Sequence, residues 1–339
     1  MSEYETTTTW EELARRVEHA SRIVVTTHSK PDGDAIGSTV AMHRALHNKQ
    51  RAVEVLLMGP VERALRLAAG DTPIRVLEED GLPDGEPDLI MVLDTGAWSQ
   101  VHAIEPWLRK HADCVVGLDH HANGDDVASD RIVDTSAASC TQIVLELLDH
   151  MNVDIGNGFG SAAEAIFVGL ATDTGWFRFS NADARCFATA ARLLEHDIDR
   201  YRIYRTLEET GSPARMEILQ RMLASLEYLD DGHVAVMVLS HEDFTETGGS
   251  GTDLTGLVNT PMVVDGVQAA ILLSEQTPGT TKISFRSKPA LPGDPSSLID
   301  VNRLAGQFGG GGHIHAAGAR LEEPVTTVLA RLHQAFAHC

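Results

Sequence analysis

The chain has 339 residues, a hydrophobic content of 43%, and 49 Asp and Glu against 27 Lys and Arg, for a formal net charge of -22. That length suits two domains with proper cores, and so acidic a field argues against binding long duplex nucleic acid. No stretch approaches the roughly eighteen apolar residues of a membrane span, and the start MSEYETTTTW lacks a basic-then-apolar leader, so a soluble, cytoplasmic protein is expected.

In chain order, residues 9–20 read as a helix, with Thr9 as cap and Glu11 and Glu12 in the first turn. The β-branched run at 23–26 then predicts a buried parallel strand, ending in His28, Asp32 and Asp34 with Pro31 and Gly33 between them. One imidazole and two carboxylates so close together suit Mn²⁺ or Mg²⁺; a polar turn is the plainer alternative. A helix is expected over 35–48 and a strand over 52–58, followed by a polar, Pro-containing region. The strand at 89–93 ends in Asp94, and the strand at 114–118 ends in Asp119, His120 and His121. Residues 136–151 read as a helix. The apolar element AEAIFVGLATDTG ends in Asp173; its Ala and Gly content leaves helix or strand open. Residues 182–196 look helical.

Strands alternating with helices predict an α/β domain, a mostly parallel sheet with helices on both faces. Ligands in such sheets sit outside the carboxyl ends of the strands. His28, Asp32, Asp34, Asp94, Asp119, His120, His121 and Asp173 are therefore expected on one rim. Taken singly, Asp94 and Asp173 read as helix caps and the DHH triplet as a polar loop. Four acidic endings in one sheet point instead to a shared two-metal centre.

The texture changes near residue 200. Residues 199–228 read as a helical linker interrupted at 211–213. Beyond it, HVAVMVLS, GVQAAILLSE and TKISFRS read as strands, and the TPGT turn favours a hairpin. A helix at 300–307, the GGGGH run, HAAGARL and a helix at 326–337 complete a smaller α+β domain. The expected division is 9–198, 199–228 and 229–339. A bare glycine run reads as linker, but this one stands between helix and strand with His313 following, which favours an anion-binding turn. The absence of GK[ST] excludes a Walker phosphate loop. The cysteines Cys114, Cys140, Cys186 and Cys339 form no CxxC pair and are expected to be free thiols.

His28-Ser-Lys-Pro-Asp32-Gly-Asp34, LDTG at Asp94, Asp119-His120-His121 and ATDTG at Asp173 resemble the four motifs of the DHH phosphoesterase family. FRS at Arg286, DLTGLVN at 253–259 and GGGGHIHAAG at 309–318 resemble its DHHA1 domain. Their order and the chain length resemble the two-domain nanoRNase group, bifunctional oligoribonucleases that also act on 3′,5′-bisphosphate nucleotides. RecJ-type exonucleases carry further domains, and the family's pyrophosphatases and exopolyphosphatases have a second domain without the GGGGH run.

The resemblance implies two Mn²⁺ (or Mg²⁺), one held by His28, Asp32 and Asp94, the other by Asp34, Asp94, His120 and Asp173. It also implies that His121 contacts the scissile phosphate and that Asp119 orients the neighbouring histidines. Arg286, Gly310, Gly311, Gly312 and His313 are expected to bind the substrate, a short single-stranded RNA or small nucleotide such as pAp. No motif decides whether the chain forms a homodimer. Two rivals stand beside this reading: a phosphodiesterase for cyclic or linear dinucleotides such as pApA, and a non-catalytic nucleotide sensor. Every ligand position is filled, which disfavours the sensor. The chain departs from the family at His315, where an apolar residue is common, and at Gln142, where Glu is common. Trp176 and Arg178 follow the last motif, and the indole suits either base stacking or a packing role.

Overall fold

The computed structural model describes residues 4–47, 51–291 and 293–336. Asn48, Ala337 and Cys339, each part of an expectation above, lie outside the described residues. The chain divides into two compact units, Met1–Thr210 and Gly211–Cys339.

The first unit is built on six parallel strands: β1 (Arg22–Thr26), β2 (Ala52–Leu57), β3 (Ile74–Val76), β4 (Leu89–Leu93), β5 (Val115–Asp119) and β6 (Asp130–Val133), in the order β3-β2-β1-β4-β5-β6. Its helices are α1 (Trp10–His19), α2 (Gly33–Leu46), α3 (Arg63–Ala69), α4 (Leu77–Asp80), α5 (Glu105–Lys110), α6 (Cys140–His150), α7 (Ala162–Asp173), α8 (Ala184–Leu194) and α9 (Arg200–Glu208). Alternate strand residues serve opposite faces. Ile23, Val25, Met91 and Leu93 bury one face against α1, α2, α6 and α7. Val24, Ile90 and Val92 bury the other against Val101, Ile104 and Leu108. From β1 the chain winds outward to β3, then crosses back to β4 and winds the opposite way to β6. That reversal opens a crevice beyond the carboxyl ends of β1 and β4.

The structure corrects several expectations. Residues 162–173, left between helix and strand, form α7, a helix apolar on every side because it is buried on every side. Asp173 therefore reaches the rim from a helix end, not from a strand end. The polar region after β2 contains α3, β3 and α4, and β6 was not anticipated at all. Helix α6 begins at Cys140 rather than at 136, because Ser139 caps it through the Gln142 N–H.

Helices α2 and α7 cross where both lack side chains. A Cβ on Gly37 would lie 2.6 Å from the Ala165 carbonyl oxygen and 2.8 Å from the Gly169 nitrogen. At Gly169 it would lie 2.3 Å from Thr141 Cγ2 and 2.6 Å from Asp34 Oδ1. On the β6 side, residues 4–8 run along the strand edge. Thr7 donates its N–H to the Arg131 carbonyl at 2.9 Å and accepts the Arg131 N–H on its hydroxyl at 2.9 Å. The Thr6 hydroxyl donates to the Val133 carbonyl at 3.0 Å and accepts the Val133 N–H at 2.9 Å.

The second unit has β7 (Glu227–Leu229), β8 (Val234–Leu239), β9 (Ala269–Thr277), β10 (Thr280–Ser287), β11 (Gly311–His313) and β12 (Ala316–Leu321) in the order β11-β12-β10-β9-β8-β7. All neighbours are antiparallel except β8 and β9. Its helices are α10 (Pro213–Ala224), α11 (His241–Thr247), α12 (Val301–Gly306) and α13 (Val325–Phe336). One face of the sheet packs on α12 and α13, the other on α10 and α11. This is the mixed α+β second domain expected, hairpin included. Within residues 199–228, α9 lies in the first unit and α10 in the second.

Gly37→Leu forces a side chain into the α2–α7 crossing. It is expected to destabilise the protein by about 2–3 kcal/mol, lowering the calorimetric Tm by roughly 4–12 °C. An unchanged Tm would show that the crossing tolerates a side chain.

Candidate metal centre

Local structure delivers each side chain. Asp32 caps α2, its Oδ1 accepting the N–H groups of Asp34 and Ala35, both at 3.0 Å. Asp34, in the first turn of α2, meets the N-terminus of α6 and accepts the N–H groups of Cys140 at 2.5 Å and Thr141 at 3.0 Å. The unpaired N–H groups of a helix start thus hold a buried carboxylate. Asp94 follows β4 with a φ of 62°, a left-handed conformation that Asp tolerates better than most residues. Asp119 ends β5, with His120 and His121 behind it, and Asp173 ends α7.

The two oxygens of Asp94 face two separate groups. Oδ2 lies 3.5 Å from His28 Nε2, which is itself 3.8 Å from Asp32 Oδ1. Oδ1 lies 3.4 Å from His120 Nε2, which is 3.9 Å from both Asp34 Oδ2 and Asp173 Oδ2. Donor atoms of His28, Asp32 and Asp94 lie within 4.8 Å of one another, as do those of Asp34, His120 and Asp173, and those of Asp94, His120 and His121. These separations exceed hydrogen-bond lengths. They suit atoms that share a central ion at about 2.0–2.2 Å each. Asp94 Oδ1 is buried and has no hydrogen-bond partner, a position that a cation would satisfy.

The electrostatics describe the same site filled with protons. Burial opposes charge on His28, but Asp32 and Asp94 outweigh it and raise its pKa to about 10. Burial likewise opposes charge on His120, and Asp94, Asp34 and Asp173 raise it to about 10. Asp34 is pushed well above the usual carboxylate range by burial, then by Asp94 and Asp173. Burial is also the main reason Asp173 rises to about 6. Burial works to raise Asp32, but His28 and the capping N–H groups bring it down. His121 donates through Nδ1 to Asp119 Oδ1 at 2.7 Å, and that bond raises its pKa. An open cavity of about 310 Å³ lies over the cluster, with Thr95, Gln100 and Asn123 also on its wall.

In the second unit, Arg286 and His313 flank Ala316 on neighbouring strands, so all three share one row and one face of the sheet. The Arg286 guanidinium donates to the Phe285 carbonyl at 2.8 Å. The glycine run is shaped by close packing: a Cβ on Gly310 would stand 2.1 Å from the Gly318 carbonyl oxygen. Three of its N–H groups are already used, Gly309 on the Gly306 carbonyl at 3.2 Å, Gly310 on the Ala305 carbonyl at 3.0 Å and Gly312 on Asn302 Oδ1 at 2.8 Å.

The departures resolve into internal contacts. His315 Nδ1 lies 3.1 Å from the Ser287 hydroxyl. Gln142 accepts the Ala138 N–H and donates to Thr189, both at 2.9 Å. The Trp176 indole donates to Glu208 at 2.8 Å and stands edge-on to Tyr204, and Arg178 Nε donates to the Gly175 carbonyl at 2.7 Å. Sequence reasoning missed Tyr4, whose hydroxyl donates to Asp119 Oδ2 at 2.8 Å. Nothing in its polar surroundings signals that contact.

The DHH family, N-terminal domain, matches residues 22–170, and the DHHA1 domain matches residues 231–338. The chain thus carries a DHH domain followed by a DHHA1 domain. It is 28% identical over 300 residues to "Bifunctional oligoribonuclease and PAP phosphatase NrnA" of Thermus thermophilus, covering 88% of this chain and 84% of that protein. "Cyclic-di-AMP phosphodiesterase GdpP" of Geobacillus thermodenitrificans is 24% identical over 325 residues, 92% of this chain but 46% of the longer protein. Among solved structures, an exopolyphosphatase-related protein from Bacteroides fragilis superposes with a TM-score of 0.81 at 24% identity, covering 97% of this chain and 95% of that one.

A cation held by His28 and His120 would displace their protons, since a ligand nitrogen is neutral. Both groups stand at about 10, above the ordinary imidazole value of about 6.5. Their contribution to the stability of the metal-free protein is therefore full below about pH 6.5 and lost as pH rises toward 10. Affinity for Mn²⁺ is expected to move the other way, rising from pH 7 toward pH 10 with protons released at pH 7. Calorimetric titration in two buffers of different ionisation enthalpy measures that release; binding without it would mean other ligands.

Proposed function

We propose that this DHH-domain protein is a metal-dependent phosphoesterase that hydrolyses short oligoribonucleotides to mononucleotides and removes the 3′-phosphate of 3′-phosphoadenosine 5′-phosphate. The observation that carries this reading is Asp94, a buried carboxylate whose two oxygens face two His/Asp groups, one oxygen without a hydrogen bond. The likeness to NrnA over most of both chains supports the substrate class. In this reading His28, Asp32 and Asp94 hold one divalent cation, Asp34, Asp94, His120 and Asp173 the other, and Asp94 is shared. Mixed imidazole and carboxylate donors favour Mn²⁺, with Mg²⁺ the alternative. Such a pair, when bound, supplies a water nucleophilic at neutral pH and offsets charge on the phosphate and leaving oxygen.

The chain's own residues do the rest. Asp119 holds His121 by Nδ1, leaving Nε2 to hydrogen-bond a phosphate oxygen in the cavity. Asp34 and Asp32, anchored on helix starts, keep their oxygens in place as charge redistributes. Arg286 and His313, in one row on either side of Ala316, bind an anionic or planar part of the nucleotide. With a net charge of -22, the protein repels long polyanions, so affinity must come from these local donors, which favours short substrates. Among the described residues no helix is long and apolar enough to cross a membrane. The likeness to GdpP supports a second reading, hydrolysis of cyclic or linear dinucleotides at the same centre.

Product analysis with Mn²⁺ on pAp, a 5′-phosphorylated diribonucleotide, a five-mer, a 24-mer and cyclic di-AMP separates these readings. Rapid mononucleotide release from the short substrates, with the 24-mer nearly intact, is expected. Preferential turnover of cyclic di-AMP would favour the second reading, and processive loss of the 24-mer would reject both. Asp94→Ala should reduce every rate by at least about a hundredfold, because losing a shared ligand exceeds the loss of an outer hydrogen bond. Wild type as inert as Asp94→Ala, with nucleotide still bound, would indicate a sensor. Arg286→Ala should raise KM about 10- to 100-fold, the range for a hydrogen bond to a charged group, with a smaller change in kcat.

A further inference from the structure

Tyr4 approaches the centre from behind. Residues 4–8 are tied along the edge of β6 by the threonine contacts described above, and this strap places the Tyr4 ring against Gly96 and Gly124. A Cβ on Gly96 would fall 1.9 Å from the tyrosine oxygen, and one on Gly124 would fall 2.5 Å from the ring. The Arg131 guanidinium lies over the ring, 5.1 Å from its centroid, and is itself fixed by the carbonyls of Glu5 at 3.0 Å and Ala128 at 2.9 Å. From this seat the Tyr4 hydroxyl donates to Asp119 Oδ2 at 2.8 Å. The other oxygen, Oδ1, faces His121 Nδ1 at 2.7 Å and accepts the His121 N–H at 3.2 Å.

We propose that Tyr4 is a positioning residue for His121: by pinning one oxygen of the buried Asp119 carboxylate, it fixes the other on His121 Nδ1 and so sets the tautomer and direction of the imidazole. The role rests on the reading of His121 as the group that meets the substrate phosphate. A carboxylate accepts through two oxygens and rotates about its own bond. Held only from the His121 side, Asp119 could keep that bond while swinging, and the ring would swing with it. Held from both sides, it cannot. Burial and the Asp119 charge push the Tyr4 phenol well above its ordinary pKa, so the hydroxyl remains a donor. Outer hydrogen bonds of this kind orient the side chains that do chemistry.

Tyr4→Phe keeps the ring between Gly96 and Gly124 and removes only the donor. The test combines ¹⁵N-histidine NMR of the metal-free, full-length protein with steady-state kinetics on pAp and a diribonucleotide in Mn²⁺. His121→Asn assigns the His121 ring signals and reports whether His121 is needed for turnover. The expected result is a protected Nδ1–H proton on His121 in the wild type, lost to exchange in Tyr4→Phe. Alongside it, kcat should fall about 10- to 100-fold, with KM and Mn²⁺ affinity near wild type. A protected Nδ1–H that persists in Tyr4→Phe overturns the proposal whatever the rate. If the proton is lost but turnover survives in both Tyr4→Phe and His121→Asn, the positioning stands and the reading of His121 falls. Should Tyr4→Phe fold poorly, the double variant Thr6→Val, Thr7→Val, which loosens the strap and leaves the hydroxyl in place, must weaken the same proton signal. An unchanged signal there also overturns the proposal.

Discussion

Carboxylates crowded together on the wall of an open cavity set the terms for this protein. Asp34 and Asp94 are buried, and Asp32, Asp173, His28 and His120 crowd against them. Such a cluster is unfavourable unless positive charge stands within it, whether protons on the imidazoles or a cation among the oxygens. The surrounding structure keeps the cluster from relaxing. The start of α2 holds Asp32, the start of α6 holds Asp34, and a left-handed turn holds Asp94. The glycine crossing of α2 on α7 keeps the helices of Asp34 and Asp173 in contact. Stability sacrificed here is recovered from the apolar layers on both faces of the sheet, where the strand residues are almost wholly buried.

Topology explains why such distant residues meet. The reversal of strand order between β1 and β4 leaves their carboxyl ends side by side with no connection crossing above them. His28 and Asp32 leave one side of that gap and Asp94 the other, so the Asp94 carboxylate stands where the sheet parts. The next strand outward adds Asp119, His120 and His121. Helix α7 returns across the same face and contributes Asp173 from its last turn.

Much of this was legible in the sequence because burial writes a simple pattern. β1, β4 and β5 are uninterrupted apolar runs that end in polar motifs, and a strand covered on both faces must read so. Other parts lacked such a pattern. β3 has three residues and β6 only four, with Asp130 and Arg131 at its start, too short and too charged to show periodicity. α7 is surrounded by protein, which erases the polar stripe that marks a helix. The residue types of the centre were visible, but not the burial of Asp94 Oδ1 or the left-handed backbone beneath it. Tyr4 was invisible for another reason: its partner lies 115 residues away, and no local spacing encodes that contact.

The threonine run at residues 6–9 has a further meaning. A sheet that ends in an open strand offers a row of free N–H and C=O groups to any passing chain, the usual start of edge-to-edge aggregation. β6 is such an edge, yet Thr6 and Thr7 occupy the outward groups of Arg131 and Val133, largely through hydroxyls rather than backbone. The Thr7 hydroxyl also donates to the Ser129 carbonyl at 2.6 Å, and Thr9 turns the chain into α1. A short polar segment thereby closes the sheet without becoming a strand that would itself need covering. The threonine run thus takes up hydrogen-bonding groups at the outer edge of β6.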